Sequence, residues 1–245
     1  MKIGIAGFGF VGQAVYNSII DKKDVLIFDK YMEEHKETDL SETDIIFVCL
    51  PSLNDNEKQN ITPFVEFFEK VRGYNGIIVI KSTVLYDNIK MYNKDFNIVF
   101  NPEFLNQISS YKDFSTQKLL ILGGRIDYAN IVLECFNTDF DVVVDEVEFC
   151  TQEEAIEFKY LRNIHGAYEV MFWNFVQETF NSDTRKLAQI YSKLPNGIMS
   201  NVGADGKMGF GGACFPKDLL AKHNSVPHEL SSFLMRYNER IRLSD

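Results

Sequence analysis

Lys2-Ile3-Gly4-Ile5-Ala6-Gly7-Phe8-Gly9-Phe10-Val11-Gly12-Gln13-Ala14-Val15 is the stretch that decides the fold. A short apolar run, Lys2 to Ala6, meets three spaced glycines and then a helical pattern with Val11, Val15, Ile19 and Ile20 on one side. G-x-G-x-x-G alone is a weak signal, and the strand-turn-helix context gives it meaning. The first glycine makes the turn, the second lets the backbone approach a pyrophosphate, and the third lets helix pack on strand. The phosphate then sits at the helix N-terminus. Gly7, Gly9, Phe10, Val11 and Gly12 are therefore the expected dinucleotide cradle.

The next apolar run, Val25 to Phe28, ends in Asp29. An acid about 20 residues past the glycines is placed to accept from the adenosine ribose hydroxyls. It favours NAD over NADP, because a 2′-phosphate would meet like charge. The alternative is a plain βα turn followed by a solvated aspartate.

Further apolar strands are expected at Ile45–Leu50, Ile77–Ile80, Asn97–Phe100, Leu119–Leu122 and Phe140–Val144, with helical spacing of Phe64, Val65, Phe67, Phe68 and Val71 between two of them. Alternation of strand and helix predicts a doubly wound, mostly parallel α/β sheet of the Rossmann type, spanning residues 1–150. Ligands bind such sheets at the carboxyl ends of the strands. Pro51, Ser52, Ser82 and Thr83 follow strand ends and are candidate contacts to cofactor or substrate; ordinary loop chemistry is the alternative for each.

From Thr151 the pattern changes to long helices, predicting a smaller all-helical domain over 151–245. Thr151-Gln152-Glu153-Glu154 has the form of a capping box, and its helix meets no proline through Phe180. Lys159 and Asn163, four apart, share a face of it. A second helix is expected from Asp183 to Leu194. After a turn-rich loop comes Gly209-Phe210-Gly211-Gly212-Ala213-Cys214-Phe215-Pro216-Lys217-Asp218. Pro216 suits the first turn of a helix. A thiol near that helix N-terminus, with Lys217 close by, is biased toward the nucleophilic thiolate, while Asp218 pulls the other way. The simpler reading, a small buried hydrophobe, needs neither the three glycines nor the Pro-Lys-Asp sequel.

Composition narrows the class. The 245 residues are 45% hydrophobic and 24% charged, as in soluble globular proteins. A net charge of −10 leaves no global basic surface for nucleic acid or an anionic membrane. The four cysteines form no C-x-x-C pair and have no histidine at metal-ligand spacing, so neither a metal site nor a disulfide framework is expected. No signal peptide and no apolar run of about 20 residues is legible, and a cytoplasmic location is expected.

In this order, G-F-G-F-V-G, V-C-L-P-S, K-S-T-V, N-P-E-F-L, Lys159 with Asn163, and G-F-G-G-A-C-F-P-K-D resemble the UDP-glucose/GDP-mannose dehydrogenase family, and the last is the most specific. The resemblance implies NAD-dependent oxidation of a nucleotide sugar from alcohol to acid. Cys214 would form a thiohemiacetal and then a thioester. Lys159 and Asn163 would stabilise the oxyanion. Glu103 and Asp218 would manage water and protons, with Thr83 holding the water. Glu103, Phe104, Leu105, Lys159, Asn163, Phe210 and Gly211 would contact the sugar nucleotide. It also implies a homodimer through the 151–180 helix.

Departures from the family pattern are Gln107 for a second glutamate, Leu85 for a proline, Ile156 for an acid, Glu169 for a base, and Asn174-Phe175 for Asn-Glu. Family members normally carry a third, nucleotide-gripping domain after the helical one. Its absence from these 245 residues implies weak UDP-sugar binding, a partner protein supplying the rest, or a smaller substrate. Arg162, Lys207, Lys217 and Arg236 are candidates for a local anion pocket, with solvated surface the simpler reading for all but Lys217. Two other functions fit the pattern in part. One is a 3-hydroxyacid dehydrogenase of the 6-phosphogluconate type, for which Cys214 has no use; the other is a non-catalytic NAD- or nucleotide-sugar-binding remnant.

Overall fold

The computed structural model describes residues 1–243 apart from 53, 56–57, 105–113, 194–204 and 213–214. It divides into two compact units, Met1–Asn163 and Ile164–Asp245.

The first unit is built on a seven-stranded sheet. Its strands are β1 (Ile3–Ala6), β2 (Leu26–Phe28), β3 (Ile45–Val48), β6 (Ile77–Ile80), β7 (Asn97–Phe100), β8 (Thr116–Gly123) and β9 (Val143–Cys150), in spatial order β2-β1-β3-β6-β7-β8-β9. All pairs are parallel except β7 with β8, which meet antiparallel through Phe100 and Gly123. This is the doubly wound, Rossmann-type arrangement. Because side chains alternate along a strand, an apolar run such as Ile45-Ile46-Phe47-Val48 feeds two cores at once. Ile45 and Phe47 pack with Val15 of α1 (Phe10–Ser18) and with Val132 and Phe136 of α4 (Ile126–Asp139). Ile46 and Val48 pack on the other face with Phe64, Phe67 and Phe68 of α2 (Thr62–Lys70).

The order places β1 between β2 and β3, so the chain leaves β1 toward one edge and returns on the other side. The crevice of such a sheet opens where the order reverses, outside the carboxyl ends of β1 and β3.

Two strand readings are corrected. The expected Phe140–Val144 strand is β9, Val143–Cys150, and it runs on through Asp145, Glu146 and Glu148. β9 is an edge strand, and an edge admits charged residues that would be excluded from a central strand. Leu119–Leu122 extends to Thr116–Gly123 because β8 pairs with β9 along most of its length. A small hairpin, β4 (Asn54–Asp55) with β5 (Lys58–Gln59), and a short helix α3 (Tyr86–Ile89) carry no strong sequence pattern.

The helix α5 (Gln152–Thr179) begins in the first unit and ends in the second. Its capping box is formed: the Thr151 N–H donates to Glu154 Oε2 at 2.8 Å, and the Glu154 N–H donates back to Thr151 Oγ1 at 3.2 Å. Its first turns bury Ala155 and Ile156 against the sheet. In the second unit, α6 (Thr184–Tyr191) is capped by Asp183, which accepts from the N–H groups of Arg185 and Lys186. α7 (Phe215–Ser225) and α8 (Glu229–Leu243) follow. Among the described residues no helix is long and apolar enough to cross a membrane.

Candidate active site

The three glycines after β1 differ in what surrounds them. Gly7 has φ +90°, and a Cβ there would lie 2.6 Å from the Cys49 carbonyl oxygen. At Gly12 a Cβ would overlap the Gly7 carbonyl oxygen, so close packing of helix on strand requires glycine. At Gly9 a Cβ would meet nothing within 4 Å. Nothing in the chain itself demands a glycine at position 9, and its open surface at the start of α1 is what a pyrophosphate approaching the backbone needs. Phe10, exposed, and Val11 open that helix.

Asp29 is tied to the same turn: its Oδ2 accepts from the Phe8 N–H at 2.7 Å and its Oδ1 from the Tyr31 N–H at 2.9 Å. A carboxylate has about four lone-pair sites, so each oxygen can still accept from a ribose hydroxyl. Gly7, Asp29, Tyr31, Leu50 and Pro51 line one pocket at the β1–β3 crevice. Ser52 lies beside Pro51 at the same strand end and is half-buried. These residues fit a dinucleotide cofactor.

The surroundings of Gly9 and Gly12 lead to opposite expectations. Gly12→Ala is expected to destabilise the protein by about 2 kcal/mol or more, since the clash is with the Gly7 carbonyl, a backbone group that cannot swing aside. Gly9→Ala is expected to stay within about 1 kcal/mol of wild type in stability while weakening dinucleotide binding. Urea denaturation and calorimetric titration of both variants check this; equal destabilisation would remove the argument for a ligand at Gly9.

The next strand ends form a hydrogen-bonded edge. The Ser82 Oγ donates to the Leu50 carbonyl at 2.8 Å, joining the ends of β3 and β6. Thr83 is half-buried, and its carbonyl accepts from Gln59 Nε2 at 3.2 Å. Gln59 also donates to Tyr160 Oη at 3.1 Å and accepts from the Leu85 N–H and Asn88 Nδ2. It thus links the β4–β5 hairpin, the Thr83 loop and α5. Sequence reasoning missed it, because a lone glutamine in a polar loop carries no pattern.

Past β7, Glu103 meets Lys159. The Lys159 ammonium donates to Glu103 Oε1 at 3.3 Å and, more closely, to the Glu103 carbonyl oxygen. It lies 5.3 Å from the centroid of the Phe104 ring, which stands edge-on to Phe158. Lys159 is only 7% exposed. An adjoining pocket is lined by Lys81, Glu103, Phe104, Phe158 and Arg162, so Arg162 belongs to a cavity wall. Asn163, one turn beyond Lys159, is exposed.

Lys81 is the least anticipated member. It is 1% exposed, and burial pushes its ammonium down from its ordinary 10.5 to about 8, against opposing pulls from Cys49 and Glu103. Burial also pushes the neighbouring Cys49 thiol up to about 12. Between pH 8 and 10.5 the unfolded chain holds more protons at Lys81 than the folded one, so this group's contribution to stability rises with pH across that window. The stability of wild type minus that of Lys81→Met is therefore expected to increase from pH 7.5 to pH 9.5, by roughly 1–2 kcal/mol. Urea midpoints at the two pH values read it, and a constant difference would show that Lys81 titrates normally.

In the second unit the glycine-rich stretch is held from α8. The Phe210 N–H donates to Asn238 Oδ1 at 2.7 Å, and Asn238 Nδ2 donates to the Phe210 carbonyl at 2.9 Å. Gly209 has φ +78°, and Gly211 is buried. Asp205 and Arg242 form an ion pair at 2.5 Å beside it. Asp218 is exposed in the first turn of α7. Lys207 and Arg236 are exposed. Leu105, Gln107 and Cys214 lie outside the described residues, as does the side chain of Lys217.

No protein-family model matches the chain. The UDP-glucose 6-dehydrogenase TuaD of Bacillus subtilis is 28% identical over 196 residues, covering 71% of this chain and 41% of that protein. The GDP-mannose 6-dehydrogenase of Pseudomonas aeruginosa is 23% identical over 225 residues, covering 80% of this chain and 51% of that one. The chain therefore spans about half the length, or less, of these curated relatives. Among solved structures, a ternary complex of GDP-mannose dehydrogenase from Pseudomonas aeruginosa superposes with a TM-score of 0.81 at 18% identity, over 98% of this chain and 69% of that one. A UDP-glucose dehydrogenase from Pyrobaculum islandicum superposes with a TM-score of 0.60 at 20% identity, over 97% and 68%. These superpositions share the fold.

Proposed function

The chain is a relative of the UDP-glucose/GDP-mannose dehydrogenase family, and from that premise we propose that it is an NAD-dependent oxidoreductase that converts the C6 alcohol of a nucleotide sugar to a carboxylate. The observation that carries the reading is the common edge of the parallel strands. Asp29, Gly7, Pro51, Ser82 and Glu103 follow the carboxyl ends of β2, β1, β3, β6 and β7 in that spatial order. Cofactor-type residues come first and the Glu103–Lys159 pair last.

Gly7, Gly9, Phe10, Val11 and Gly12 hold the cofactor's pyrophosphate, and Asp29 its adenosine ribose, with Pro51, Ser52, Ser82 and Thr83 beside it. Bound NAD supplies the hydride acceptor for each of two oxidations. Glu103 takes a proton through water held by Thr83. Loss of the alcohol proton and one hydride from C6 leaves an aldehyde. The Cys214 thiolate adds to that carbonyl, forming a C–S bond and an oxyanion that Lys159 and Asn163 stabilise. Loss of the second hydride gives a thioester. Water adds to it, the C–S bond breaks, and carboxylate and free thiol leave, with Asp218 and Glu103 handling the protons. Phe104, Leu105, Phe210 and Gly211 contact the sugar nucleotide. Residues 1–150 act as the cofactor domain and 151–245 as the helical domain.

The test is absorbance at 340 nm with NAD or NADP and a panel of UDP- and GDP-sugars. Turnover of at least one with NAD, and a marked preference over NADP, is expected; NAD binding with no sugar oxidised would leave a cofactor-binding protein instead.

The chain acts as a homodimer in this reading. In the second unit Ile164, Tyr168 and Met171 recur at helical spacing along α5 and are all exposed, Ile164 at 67%. Phe175 and Val176, further along, are buried. Such an apolar stripe supports a second copy as its cover. Light scattering at micromolar concentration is expected to give twice the chain mass, and a monomer there would contradict it.

A further inference from the structure

Lys81 and Asn101 are the first residues past the paired ends of β6 and β7, where Ile80 faces Phe100. Their backbones extend the ladder by one step: the Lys81 N–H donates to the Val48 carbonyl at 3.0 Å and the Asn101 N–H to the Ile80 carbonyl at 2.9 Å. The Lys81 ammonium donates to Asn101 Oδ1 at 2.7 Å and contacts its carbonyl oxygen at 3.3 Å. The Asn101 amide in turn donates to the Ile121 carbonyl of β8 at 2.9 Å. Three strand ends are thus latched at the place where the sheet changes direction and β7 and β8 share one register pair. Two residues later the chain presents Glu103 to Lys159.

The ammonium is enclosed. The Phe114 and Phe136 rings lie 5.0 and 6.0 Å away, and the titratable groups facing it are Cys49 after β3, Glu103 after β7, and Lys159 on α5. Burying an ammonium is costly, and a methionine would fill the space without that cost. Only the ammonium gives Asn101 a charged donor and sets a positive charge near Glu103.

We propose that Lys81 is a positioning residue, whose pinning of Asn101 fixes the Asn101-Pro102-Glu103 turn so that Glu103 engages Lys159. The inference rests on the function proposed above for that pair, but not on turnover alone. A residue that only stabilised the sheet would lower the melting temperature and leave the pair as it is.

Lys81→Met, Asn101→Ala and the double variant are compared in the whole chain. One readout is kcat with KM for NAD. The other is the 13Cε resonance of Lys159 in lysine-labelled protein, assigned by its loss in Lys159→Met. Either single variant is expected to lower kcat by about 10- to 100-fold with KM for NAD within twofold, and to shift the Lys159 resonance. The double variant is expected to be no worse than the poorer single, because both break one linkage. An unmoved Lys159 resonance, a kcat within twofold of wild type, or additive losses would each overturn the proposal. If wild type oxidises no nucleotide sugar while the resonance still moves, the proposed function fails and the positioning of the pair stands. Should Lys81→Met not fold, Asn101→Ala carries the same comparison, since it removes the acceptor and keeps the amine.

Discussion

Cys214→Ser is expected to abolish acid formation, lowering the overall rate by about 10³-fold or more, as removal of a catalytic nucleophile does. An aldehyde has no second hydride to give until a nucleophile adds to it. A serine hydroxyl is un-ionised near neutral pH and lacks the nucleophilicity of a thiolate. The first oxidation does not need the thiol. The variant is therefore expected to yield at most one NADH per sugar and an aldehyde that a hydrazine reagent traps. Mass spectrometry of the trapped product, with NADH counted in parallel, checks this. Full-rate acid formation by Cys214→Ser would remove the thioester from the mechanism.

The second large effect is at Lys159. Removing its cationic donor is expected to lower kcat by about 10²- to 10³-fold, the usual cost of losing one oxyanion donor. Lys159→Met alone is ambiguous. Lys159 and Glu103 are 8% and 12% exposed in their side chains, so the variant strands a nearly buried carboxylate at a cost of about 3 kcal/mol. Adding Glu103→Gln removes that stranded charge. The double variant is expected to recover most of the stability and none of the activity. Because Glu103 is itself assigned to proton transfer, Glu103→Gln alone is the reference, and a double variant as active as Glu103→Gln would make Lys159 structural.

The strand-turn-helix at the start of the sheet was legible because backbone sterics leave few options there. Gly7 and Gly12 answer to contacts within the chain, and a glycine is the residue that meets both. Gly9 differs, since a Cβ there would meet nothing within 4 Å and the chain itself gives no steric reason for a glycine. The two sheet faces could be read from continuous apolar runs such as Ile45–Val48, in which alternate residues serve opposite cores. Edge strand β9 was misjudged at Asp145, Glu146 and Glu148, because the pattern of a charged edge resembles that of a loop.

The Lys159–Glu103 meeting joins residues 56 apart, and only the family motifs suggested that they work together. Gln59 had no such cue, and Lys81, although it opens the K-S-T-V motif, had none that tied it to Asn101. Gln59 acts by tying the loop at Thr83 and the adjoining short helix α3 to Tyr160, partners that lie 24 to 101 residues from it in the chain. Lys81 reads as a strand-end lysine that would normally snorkel to water. It stays inside because Asn101 is opposite it in register, a fact of strand pairing that no single segment contains.

The central claim is that one chain carries out two successive hydride transfers at the carboxyl edge of this sheet. Its most direct measurement is the number of NADH molecules formed per nucleotide sugar consumed, with sugar and acid quantified by mass spectrometry as the reaction goes to completion. Two NADH are expected for each acid produced. One NADH per sugar with a ketone or aldehyde as the final product, or none while NAD binds normally, would contradict it.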